Sequence, residues 1–163
     1  MVNTQSSLSA NTTTATATSP RLRGLTIGIL ILLAAQFLLG MAVNLFVTVP
    51  RNHPGANPSE YFSGLFQSVT WAITSPSSPL LLLLHASLGL ALVVITVALL
   101  VAAIVVRKGG WITVASVGLF GVLGAGFNGG SFLNYNENFS SMLMSVGFIL
   151  AMVTYSIGLA RGK

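Results

Sequence analysis

The sequence predicts an all-α integral membrane protein: a four-helix bundle, N and C termini cytoplasmic, with an extracytoplasmic loop carrying a short amphipathic helix. Three observations predict it. The 163-residue chain is 53% hydrophobic and only 6% charged, whereas a soluble domain carries about 25% charged residues. Four apolar runs are each long enough to cross a hydrocarbon core of roughly 30 Å. Six of the seven basic residues (Arg21, Arg23, Arg107, Lys108, Arg161 and Lys163) sit at run ends that would share one side. Arg51, Glu60 and Glu137 fall in the connections opposite. Positive charge near a span resists translocation, so the basic side is expected in the cytoplasm.

Taken in order, residues 1–23 form a polar tail that buries too little surface to offset its ordering entropy, and it is expected to be disordered. Arg21 and Arg23 lead into a first span over 25–49. A signal peptide also begins with basic residues, but its apolar region covers only about 7–15 positions, and this run is 25 long. The connection 50–79 is broken by Pro50, Pro54, Pro58, Pro76 and Pro79. Within it Tyr61, Phe62, Leu65, Phe66, Val69 and Ile73 recur at helical spacing, so 59–74 reads as an amphipathic helix at the outer interface. That helix is either a lid packed on the bundle or a gate over an outward-facing site. Spans two, three and four cover about 80–106, 111–133 and 142–160. Short connections make these last three antiparallel neighbours. Residues 24–163 thus form one membrane domain.

Polar residues inside spans carry the functional argument, because in hydrocarbon they need a partner or a purpose. No acidic or basic side chain lies within a span, which argues against an ion-coupled pump or a carboxylate proton relay. Gln36, Gly40 and Asn44 form one stripe; His85, Gly89 and Thr96 form a second. Gly121, Gly124, Asn128 and Ser131 mark span three, and Ser141, Ser145, Met152 and Ser156 span four. With the topology above, the most polar members share the outer half of the bundle. Gln36, Asn44, His85, Asn128 and Ser131 are therefore the candidate pocket. The competing account is structural, since such groups hydrogen-bond between helices at about 0.6 kcal/mol each. Gly121, Gly124, Gly126 and Gly130 in GLFGVLGAGFNGG are candidates for close helix packing, within the bundle or against a second copy.

The stretch HASLGLALVV, with Gly89 four residues after His85, resembles the haem-binding helices of b-type membrane cytochromes. AAQFLLGMAVNLF in span one is similar to segments of small uncharacterised four-helix bacterial membrane proteins. The first resemblance implies haem b, with His85 as an axial ligand and Gly89 letting the porphyrin lie against the backbone. Those bundles usually supply a second axial histidine from a facing helix, and spans one, three and four contain none. Met41, Met142 and Met144 remain as second ligands, or His53 if its loop folds over the bundle.

Other chemistry finds little support. The two acidic residues lie in separate loops, too isolated for paired acid–base work. There is no cysteine, no Walker loop and no dinucleotide fingerprint. His53 and His85 alone do not make a zinc site. No catalytic or metal-ligating residue is assigned, and an enzyme is disfavoured. The net charge of +5 sits in pairs at span ends, where it meets anionic headgroups rather than nucleic acid. The expected partners are the lipid bilayer and other membrane subunits or a second copy. The expected function is a non-catalytic subunit, assembly factor or small-molecule binding module of the cell membrane. A b-type electron-transfer protein and an oligomeric channel or transporter component are the alternatives.

Overall fold

The computed structural model describes residues 20–161 as five helices: α1 (Pro20–Phe46), α2 (Tyr61–Thr74), α3 (Leu80–Val105), α4 (Gly109–Tyr135) and α5 (Asn138–Arg161). All but α2 are long and apolar enough to cross a membrane. Most of the polar tail, residues 1–19, lies outside the described residues, as do Gly162 and Lys163.

Helix ends depart from the apolar runs where local chemistry overrides hydropathy. α1 begins at Pro20, whose fixed φ suits a first helical turn, so Arg21 and Arg23 are helical. It stops at Phe46, three residues short of the run's end. Val47–Val49 approach Pro50, and a residue preceding proline is driven towards extended backbone. α2 is capped by Glu60 rather than started at Ser59: at φ −130° and ψ 127° its carboxylate accepts from the Phe62 and Ser63 amides. α4 continues to Tyr135, so its connection to α5 shrinks to Asn136 and Glu137. Asn136, at φ 54°, takes the left-handed conformation that asparagine tolerates and donates its amide to Phe132 O at 2.7 Å.

The opposite turn is made differently. The Lys108 amide reaches Ala103 O (3.2 Å) and the Arg107 amide reaches Ile104 O (3.0 Å). This is the paired-bond helix stop that normally places glycine in the left-handed position; here Arg107 occupies it at φ 53°.

The four long helices close a ring in which α1 neighbours α3, α3 neighbours α4, and α4 packs most closely on α5, leaving α1 against α5 as the loosest seam. Glycine explains the α4–α5 pairing. A Cβ on Gly121 would lie 2.7 Å from Gly147 O and 2.8 Å from Ala151 N, and one on Gly147 would lie 2.7 Å from Ala125 N. The two backbones touch there, which is how helices gain dispersion energy in lipid. Gly118 opposite the Tyr155 ring and Gly158 opposite Val114 extend the seam.

Two apolar clusters fill the interior. Leu22, Ile29, Leu33, Leu92, Leu99, Trp111, Ala115 and Tyr155 belong to the first, towards the end that carries Arg21, Lys108 and Arg161 (the basic end). Val43, Val49, Trp71, Ala72, Leu82 and Leu133 form the second, under α2 at the loop end. Outward, Ile31, Leu38 and Phe46 on α1, Leu80 and Val105 on α3, Phe120 on α4 and Ile149 on α5 are each more than half exposed. An apolar belt of that extent needs cover, and a bilayer covers it. Four candidate transmembrane helices of this kind are those of a multi-pass membrane protein.

Candidate functional site

Between the two apolar clusters lies one polar pair. Gln36 sits midway along α1, and His85 is about 8 Å from the loop end of α3 at ~1.5 Å per residue. Gln36 Nε2 donates to the His85 carbonyl at 3.1 Å and lies 3.4 Å from His85 Nε2. The amide carries two hydrogens, so the second meets the ring nitrogen, which must accept it. In a neutral imidazole the ring proton is then on Nδ1. Two glycines make the fit. A Cβ on Gly40 would stand 3.0 Å from His85 Cε1, and one on Gly89 would stand 3.1 Å from Gln36 Nε2. Among the described residues, Gln36 Oε1 and His85 Nδ1 are buried without a partner. The pair thus clasps α1 to α3 while leaving one acceptor and one donor unsatisfied in apolar surroundings.

The other residues of the predicted pocket are elsewhere. Asn44 is exposed near the end of α1. Asn128 turns back on its own helix, donating to Gly124 O at 2.8 Å. Ser131 Oγ is 2.7 Å from the Tyr61 hydroxyl, which donates in turn to Phe127 O, so Ser131 is tied to α2. The structure joins Gln36 to His85, leaves Asn44 exposed, and gives Asn128 and Ser131 other partners. The four packing glycines also divide. Gly121 meets α5, Gly130 receives the Leu65 side chain from α2, and Gly124 and Gly126 have nothing within 4 Å of a Cβ.

A second polar node, built at the loop end, includes residues that sequence reasoning did not single out. α2 packs its buried face (Gly64, Leu65, Ser68, Trp71 and Ala72) onto α3 and α4. Ser68 Oγ lies 2.7 Å from the buried Asn134 amide group. Turned so that its nitrogen faces the Gly55 and Gly64 carbonyls (3.2 Å each), Asn134 also accepts from the Leu65 amide with its oxygen. Gly55, at φ 87°, must be glycine on two counts, because a Cβ would also run into Gly64 O and Ser68. His53, buried and stacked on Trp71, completes the node. Ending span three at about 133 left Asn134 in a connection and hid it, although it continues the Gly130 face by one turn.

The haem implied by the H-x-x-x-G resemblance does not fit these residues. His85 Nε2 faces the Gln36 amide, and Gly40 of α1 packs on the ring where a porphyrin would need room. Gly89 makes space for Gln36 instead. Met41 and Met142 are exposed, and Met144 Sδ lies against Gly129. The chain matches no family model, no curated protein and no solved structure.

Proposed function

We propose that this protein is a non-catalytic multi-pass membrane protein that binds a small molecule at Gln36 and His85, with its basic end in the cytoplasm. The observation that carries the reading is the unpartnered acceptor Gln36 Oε1 beside the unpartnered donor Nδ1 of His85. A buried polar atom without a partner costs about 1–3 kcal/mol, and a ligand with one donor and one acceptor, such as a hydroxyl or primary amide, satisfies both. The site favours a neutral ligand, since no charged side chain lies in α1 near Gln36 or in α3.

The test is native mass spectrometry of the full chain released from mild detergent, with small molecules extracted and identified. A near-stoichiometric compound on the wild type that is lost from Gln36→Leu and His85→Leu, both still folded, supports the assignment. Equal and empty spectra for all three sink it. Association with another membrane subunit is a second reading, favoured by Gly124 and Gly126, whose open faces the bundle itself does not use. Cross-linking in native membranes that yields only monomer removes that second reading.

A further inference from the structure

We infer that His53 is a proton-binding site, and that its second ring proton fastens the segment 50–58 to the bundle. Both ring nitrogens face carbonyl oxygens: Nδ1 is 2.8 Å from Pro54 O and Nε2 is 3.1 Å from Leu133 O. A carbonyl only accepts. A neutral imidazole has one N–H, so it satisfies one of the two and turns a lone pair on the other; the imidazolium donates to both.

Two further features of the same site lie against the ring. The ring is 7% exposed and stacks on Trp71 with centroids 4.4 Å apart and planes at 14°, and the face of an indole attracts positive charge. Leu133 O belongs to the last turn of α4, the negative end of that helix, where a cation is stabilised. The carbonyls beside it are already capped, Phe132 O by the Asn136 amide and Asn134 O by the Asn57 amide. His53 supplies the remaining cap.

The charged and titratable groups around the node leave this role to the backbone. Glu60 is held by the first amides of α2, and Tyr61 is bonded to Ser131. Glu137 is exposed in the α4–α5 turn. Arg51 and Tyr135 line the crevice beside Leu133, where Arg51 opposes a second positive charge. The proton on His53 is therefore held by two carbonyl dipoles and an indole. Protonation closes the loop, and its loss as pH rises turns one carbonyl contact repulsive. The loop end then responds to acidity on its own side of the membrane, independently of any ligand at Gln36 and His85.

Ring ¹⁵N NMR of the full chain in nanodiscs tests the protonation state without a variant. Near pH 5.5, inside the range in which histidine titrates, His53 should show two protonated nitrogens. Trp71 reads the loop directly once Trp111→Phe removes the other indole. Its acrylamide quenching constant should be about two- to threefold larger near pH 8.5 than near pH 5.5, across the histidine range, and His53→Gln should abolish that dependence. A bare His53 nitrogen near pH 5.5, a quenching constant indifferent to pH, or a dependence that survives His53→Gln would each overturn the inference.

Discussion

Among the described residues, Tyr155 carries the largest fully buried side chain, and its hydroxyl has no partner there. Its ring fills the space that Gly118 leaves, so packing accounts for the aromatic body but not for the oxygen. Removing an unsatisfied buried hydroxyl recovers its desolvation cost, on the order of 1 kcal/mol. Tyr155→Phe should therefore raise the melting temperature of the detergent-solubilised protein; a clear fall would show that the hydroxyl has a partner in the native membrane. Several other polar residues in the spans behave differently. Thr26, Thr96, Asn128 and Ser145 each donate to a carbonyl of their own helix, as short polar side chains can. This is why stripes of polar residues did not translate into one pocket. Periodicity says which face a residue occupies, whereas turning back on the backbone or crossing to a neighbour depends on what stands opposite. Only Gln36 crosses from α1 to His85, because Gly40 and Gly89 make room for it.

Helix ends pose the same problem one level up. Arg107 holds a left-handed conformation that costs an L-residue with a Cβ roughly 1–2 kcal/mol. Arg107→Gly should stabilise the α3–α4 turn by about 1 kcal/mol, read as a higher SDS concentration at the unfolding midpoint. A lower midpoint would mean that the arginine side chain contributes more than its backbone costs. The four long helices were legible from hydropathy and length, but their ends were not. Asn136 and the pre-proline segment 47–49 decide two of those ends through a hydrogen bond and local sterics, as the Glu60 cap decides the start of α2, and an apolar window averages such effects away. The glycines of α4 announced close packing without naming the neighbour. Gly118 and Gly121 serve α5, Gly130 serves α2, and Gly124 and Gly126 serve neither.

Across the whole molecule, cohesion is uneven. α4 and α5 meet backbone to backbone, α1 closes on α5 only loosely, and α2 clamps the loop end through Leu65, Ser68 and Trp71. The α4–α5 seam should then tolerate least. Around Gly147 the near atoms are Gly121 O and Ala125 N and Cα, all backbone, so no flexible side chain can give way. Gly147→Leu must push the helices apart, at a cost of about 1–3 kcal/mol or more. Gly124→Leu adds the same side chain one face away into open space, where a surface change stays within about 0.5 kcal/mol. Measured by SDS unfolding in monodisperse detergent, the first variant should lose stability and the second should not; equal losses would contradict the placement of the seam. The comparison becomes more informative in native membranes. If Gly124→Leu is silent in detergent yet lowers the protein's abundance or its cross-linking to neighbours in the bilayer, the open glycine face is covered there by another subunit. If it is silent in both, lipid alone covers that face.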